Sequence, residues 1–312
     1  MAKAIREIYG EALVKYGRDN TDVVVLDADV SGSTRSALFQ AVCPERFFNV
    51  GVAEANMSAM AAGFASVGKI PFVNTFATFI TTIGLLSARV FGSYSGLNIK
   101  FMGAYGGLSD AYDGPSHHSI EDLAIMRSLP NFRVYVASDE KNADWLVKHA
   151  IDSKGPMYIR LSRDVFPSVY ESGTTFEDGK GKVLRKGKDA TIVACGLMVG
   201  FALDAANLLA SDGIDVTVID MFTIKPLDAD LIVESAKTTG AVAVAEEHSV
   251  IGGLGGAVAE VLARNGVGVP VSFVGLADCH AECGAYTELL AKYGLDVQAI
   301  VAGVRETVAK KL

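Results

Sequence analysis

The stretch NVGVAEANMSAMAAGFASVGKIPFVNTFATF, residues 49–79, changes period twice. Residues 54–67 carry small apolar side chains at helical spacing and open on Glu54, a carboxylate suited to a helix N-terminus. Gly68 ends that pattern, and residues 71–75 form a short apolar run of buried-strand type. A second helical pattern, 79–91, begins at Phe79. The same alternation continues on either side. Residues 23–26, 99–102, 133–137 and 157–161 read as buried strands, and 120–128 and 140–151 as helices. Such alternation predicts an α/β fold: a mostly parallel sheet with helices on both faces.

Between residues 170 and 189 the chain turns polar, charged and glycine-rich, which fits a linker with a small hairpin. A second βα series follows, with strands at 191–194, 216–219, 241–245 and 271–274 and a last helix near 297–310. The expected organisation is two α/β domains of the same layered kind, residues 1–180 and 181–312.

Half of the 312 residues are apolar. No run approaches the roughly 18 uninterrupted apolar residues of a membrane helix. The N-terminal residues read as an amphipathic helix and not as a signal peptide, so a soluble cytoplasmic protein is expected. So much apolar surface implies buried interfaces as well as cores. A net charge of −8 excludes a nucleic-acid-binding face. The four cysteines make no disulfide framework and read as reduced thiols. Cys279-His280-Ala-Glu-Cys283 offers three soft ligands without a distant partner pair, so no metal is expected on this chain.

Three segments carry more chemistry than packing requires. Glu54 stands in Asn49-Val-Gly-Val-Ala-Glu54-Ala-Asn56, at a strand-to-helix junction where dipole complementarity alone would explain it. Phe76 and Phe79 follow at the next junction, the place where open α/β sheets present ligands. An aromatic pair there is core packing or, with a nearby acid, a flat slot for a ring. The third segment is Asp113-Gly-Pro-Ser-His117-His118-Ser-Ile-Glu121-Asp122. Turn chemistry accounts for its glycine and proline. It does not account for adjacent histidines in a chain with five, which point to a polar binding loop.

In this order and spacing, the three segments resemble the pyrimidine-binding domain of transketolases. Asp27-Ala-Asp29-Val-Ser-Gly-Ser33, Leu129-Pro-Asn131 through Glu140, and Ile159-Arg-Leu-Ser162-Arg163 extend the resemblance. The second half resembles the family's C-terminal domain through Ala245-Glu-Glu-His248, Gly252-Gly-Leu-Gly-Gly256 and residues 278–294. The resemblance implies the C-terminal subunit of a two-chain transketolase, which moves a two-carbon ketol unit from a phosphorylated ketose to an aldose.

On that resemblance, Glu54 hydrogen-bonds the aminopyrimidine of thiamine diphosphate, where burial against a ring favours proton sharing. Phe76 and Phe79 stack on that ring, and Asp29 lies toward the thiazolium. His117 contacts the donor's carbonyl-side oxygens, and Asp113 reads a sugar hydroxyl. Arg163 and Ser33 hold a terminal phosphate. His118 stands on the substrate side where the family usually has glutamine. Thr82 replaces a third aromatic, and Tyr105 replaces a second phosphate-binding histidine.

The sequence contains no Gly-Asp-Gly triplet, the family's signature for Mg²⁺ and diphosphate. The implied site is therefore shared. An N-terminal transketolase subunit would carry Mg²⁺ and the diphosphate, in a heterotetramer with two copies of this chain. The segment at 253–256 has incomplete spacing for a dinucleotide fingerprint. Three other readings stay open: the β subunit of a 2-oxo-acid dehydrogenase, a fragment like 1-deoxyxylulose-phosphate synthase, and a non-catalytic transketolase-like subunit.

Overall fold

A computed structural model describes residues 3–311. Strands β1 (Val23–Asp27), β2 (Phe47–Asn49), β3 (Ile70–Phe76), β4 (Lys100–Ala104), β5 (Arg133–Val136) and β6 (Met157–Arg160) form a parallel sheet. Their spatial order is β5-β6-β4-β3-β1-β2. In the second half lie β7 (Lys182–Arg185), β8 (Ala190–Ala194), β9 (Val216–Asp220), β10 (Thr223–Lys225), β11 (Val242–Ser249) and β12 (Val271–Leu276). Strand β10 crosses over and pairs antiparallel with β5, widening the first sheet to seven strands. The others form a second sheet, β12-β11-β8-β9-β7, parallel except for the antiparallel edge strand β7.

Both sheets are covered on two sides, and the strand residues show it. All five residues of β1 are buried. Val23 and Val25 share a core with Leu13 of the helix Ile5–Gly17, while Val24 and Leu26 share one with Met57 and Ala61 of the helix Glu54–Ser66. In β8, Ile192 and Ala194 face one core, and Val193 faces the other with Ile232. A strand wetted on neither face needs an unbroken apolar run, which is why these segments do not alternate. Each large aliphatic side chain buried this way contributes about 1.5–3 kcal/mol.

Two expectations need correction. Residues 79–91 do not form one helix. Helix Ala77–Thr81 stops, a short turn Leu85–Ser87 follows, and Ala88–Tyr94 winds as a wide π-type helix. Thr81 and Thr82 turn their hydroxyls back onto the carbonyls of Ala77 and Thr78, which competes with helix continuation. Gly84 then passes so close to Ser58 that an added Cβ would lie 2.9 Å from its hydroxyl. The linker contains no hairpin either, because β7 takes its partner from β9.

Candidate active site

Every functional candidate of the first half lies beyond the carboxyl end of a strand. Asp29 and Ser33 follow β1, Glu54 follows β2, Phe76 ends β3, the segment 105–118 follows β4, and Arg163 follows β6. Strand β1 sits between β2 and β3, so the chain switches direction across the sheet there. That switch opens the crevice where such sheets bind ligands.

Glu54 is the first residue of its helix and only 5% exposed. Among the described residues, none donates a hydrogen bond to its carboxylate. A largely enclosed acid whose carboxylate is held by none of the described residues fits a ligand that brings a donor or a proton into the crevice.

The aromatic pair belongs to a larger cluster. Phe76 stacks on Tyr105 with ring centroids 4.6 Å apart and planes 12° from parallel. Phe79 lies 5.8 Å from Phe76, and the His117 ring meets Phe79 edge-on at 5.2 Å. Thr82 is exposed, with its hydroxyl turned onto the Thr78 carbonyl at 2.7 Å.

Beyond Tyr105 the site becomes cationic. Arg163 and Arg6 each lie 5.4 Å from the centre of the Tyr105 ring. Arg6 also donates to the Tyr105 hydroxyl and, at 3.3 Å, to the Ser33 carbonyl. Arg6, which the sequence did not single out, thus links the Ser33 carbonyl to the same Tyr105 ring that Arg163 contacts. The loop carrying Asp29 and Ser33 is organised by buried Asp27, which accepts from the Val30 amide and the Thr34 and Ser36 hydroxyls. Asp29 is exposed, held at φ 65° and bonded to the Asn49 side chain at 2.8 Å.

Asp110, Asp113 and His117 each place one atom within 4.8 Å of the others. Arg163 adjoins this group through a 3.4 Å pair with Asp110. His118 faces inward and is 2% exposed. Burial pushes its imidazole below the ordinary range.

The second half anchors this loop. Buried Glu247 accepts from the Leu108 amide at 2.6 Å and the Tyr286 hydroxyl at 3.0 Å. Arg160 donates to the carbonyls of Glu247 and Ser119 and pairs with Asp122 at 3.3 Å. The glycine segment at 252–256 is spoken for: Glu246 accepts from the Leu254 and Gly255 amides at the start of helix Leu254–Arg264.

Comparison with known proteins settles the family. The model of the transketolase pyrimidine-binding domain matches residues 1–168, and that of the transketolase C-terminal domain matches 179–300. The chain belongs to the transketolase family. It is 42% identical, over 99% of its length and 98% of the relative's, to a Methanocaldococcus jannaschii protein described as a transketolase C-terminal section. It is 39% identical to a 6-deoxy-6-sulfo-D-fructose transketolase subunit of Clostridium sp. (strain MSTE9), over 98% of this chain and 95% of that one. Human transketolase matches at 36% identity, over 98% of this chain but 49% of its own length. A solved structure described as a split-gene transketolase, in an inactive beta4 tetramer, is 47% identical, with TM-score 0.90 and full coverage of both chains. This transketolase-family chain thus corresponds to the C-terminal subunit of a split transketolase.

No described helix is long and apolar enough to cross a membrane.

Proposed function

We propose that this chain transfers a two-carbon ketol unit from a phosphorylated ketose to an aldose, together with a partner subunit. The observation that carries this reading is Glu54, buried and unpartnered at the switch point beside strands that also deliver the aromatic cluster.

Thiamine diphosphate, when bound, supplies the carbanion chemistry. Glu54 would hydrogen-bond its aminopyrimidine, and Phe76 and Phe79 would stack on that ring, with Asp29 toward the thiazolium side. His117 would stabilise the oxygen on which charge develops. Asp113 would accept a hydrogen bond from a sugar hydroxyl, with His118 behind the loop on the substrate side. Arg163 and Arg6, with Ser33, would hold the far anionic end of the sugar. Two relatives bear names that include such an end, 6-deoxy-6-sulfo-D-fructose and apulose-4-phosphate.

The absence of a Gly-Asp-Gly triplet from the sequence supports a shared cofactor site. The N-terminal subunit would carry Mg²⁺ and the diphosphate, in a cytoplasmic heterotetramer. Residues 1–180 would form the pyrimidine-binding domain and 181–312 the C-terminal domain. Co-purification from native cells, followed by a ketol-transfer assay with thiamine diphosphate and Mg²⁺, tests the reading. A Gly-Asp-Gly-bearing partner and two-carbon transfer between sugars support it. Purification within a lipoyl-transferring complex would overturn it.

A further inference from the structure

An acid at the cationic end of the groove has no task in the transfer reading. Asp110 is fully shielded, at 0% exposure. One carboxylate oxygen faces Arg163 Nη1 at 3.4 Å, while the other has no hydrogen-bond partner among the described residues. Asp113 and His117 each place an atom within 4.8 Å of it. A carboxylate with one long charged contact, crowded by a second carboxylate, is poorly held as an anion. Burial first, and then the charge of Asp113, lift it to about 6.

The two arginines differ in the company they keep. Arg163 has Asp110 within ion-pair distance. Arg6 has no such carboxylate among the described residues, and its Nε is buried without a partner. The groups around Asp110 and this pair are Tyr105, Asp113 and His117 from the loop after β4, Arg163 and Asp164 after β6, and Arg6 from the helix Ile5–Gly17. Burial raises the carboxyl of Asp164, while both arginines pull it down.

We propose that Asp110 is a specificity-determining residue that sets the charge of the anion subsite built from Arg6, Ser33 and Arg163. Ionised, Asp110 offsets Arg163 and leaves the subsite matched to a singly charged terminus such as a sulfonate. Protonated, it releases Arg163, and the subsite holds a doubly charged terminus. The inference deepens the ketol-transfer reading in taking this subsite for the far end of the sugar. Its charge behaviour is nonetheless a property of this chain's own residues, measurable without turnover.

Sulfate is a permanent dianion and methanesulfonate a permanent monoanion between pH 5.5 and 7.5, so any pH dependence of their binding belongs to the protein. Titration calorimetry of the full chain with each anion is the test. The preference for sulfate over methanesulfonate should rise about fivefold as the pH falls from 7.5 to 5.5, the effect of one charge at a partly exposed site. Asp110→Asn should show the higher preference already at pH 7.5 and no pH dependence. Asp164→Asn should keep the wild-type slope, and His117→Asn, which removes a charge that pulls Asp110 down, should move the rise to higher pH without abolishing it. A flat wild-type profile, no sulfate binding at either pH, or a slope abolished by His117→Asn or Asp164→Asn would overturn the proposal. The wild-type profile decides even if Asp110→Asn fails to fold. The predicted profile in a chain whose reconstituted pair moves no ketol units would leave the role of Asp110 standing and remove the transfer reading.

Discussion

Glu247, in the second half of the chain, accepts the backbone amide of Leu108 from the first half at 2.6 Å. The loop that carries Asp110, Asp113 and His117 therefore hangs on an acid from another sheet. Gly107, just before that amide, has φ 67°, and a Cβ added there would lie 2.3 Å from the Glu247 carboxyl. Neither the backbone angle nor the space admits a side chain.

Burial pushes the Glu247 carboxyl up to about 7, against the downward pull of Arg160. An acid whose folded pKa lies above its unfolded one keeps more protons when native, so it favours folding at low pH. That contribution is lost as the pH rises from about 4.5 to about 7. Glu247→Gln keeps an acceptor for Leu108 and Tyr286 and should flatten this part of the stability profile in urea titrations at pH 5 and pH 8. Glu247→Ala should cost about 2–4 kcal/mol at pH 8, because it strands two buried donors.

Asp27 presents the same logic on a smaller loop. It accepts three hydrogen bonds from residues 30–36 while burial raises its carboxyl. Asp27→Ala should destabilise the chain by about 2–3 kcal/mol in chemical denaturation. It should also loosen Ser33, seen as faster amide exchange at residues 30–36 than in wild type.

Arg6→Ala tests the groove's cationic end by turnover. With a phosphate-terminated ketose in the reconstituted pair, KM should rise roughly 10- to 100-fold, the loss of hydrogen bonds to a charged group. The kcat should change much less, because in the proposed subsite Arg6 would hold the end of the sugar away from the reacting carbons. An unchanged KM would remove Arg6 from the subsite.

The sequence showed the architecture wherever strands are covered on both faces. Val23 to Leu26 and Ile192 to Val193 are unbroken apolar runs, because alternate residues feed two cores. Strands β7 and β10 escaped for the opposite reason. They are short antiparallel edges, and Lys182, Arg185 and Lys225 break any run. Phe76 and Phe79 drew notice because the pair falls at a strand-to-helix junction, and Asp113 and His117 because turn chemistry does not account for adjacent histidines. Arg6 gave no local signal: it is a basic residue on an amphipathic helix, 99 positions from the tyrosine it contacts. Asp110 gave no local signal either, and only the folded chain shows it buried.

Glu54→Gln, with this chain reconstituted with its proposed partner subunit, decides the proposed role of Glu54. Glutamine keeps the size and a hydrogen-bonding end but cannot exchange a proton at neutral pH. The kcat should fall roughly 100- to 10,000-fold, the usual contribution of a positioned acid–base group, with assembly and thermal stability unchanged. Near-normal turnover in a fully assembled Glu54→Gln enzyme would contradict it.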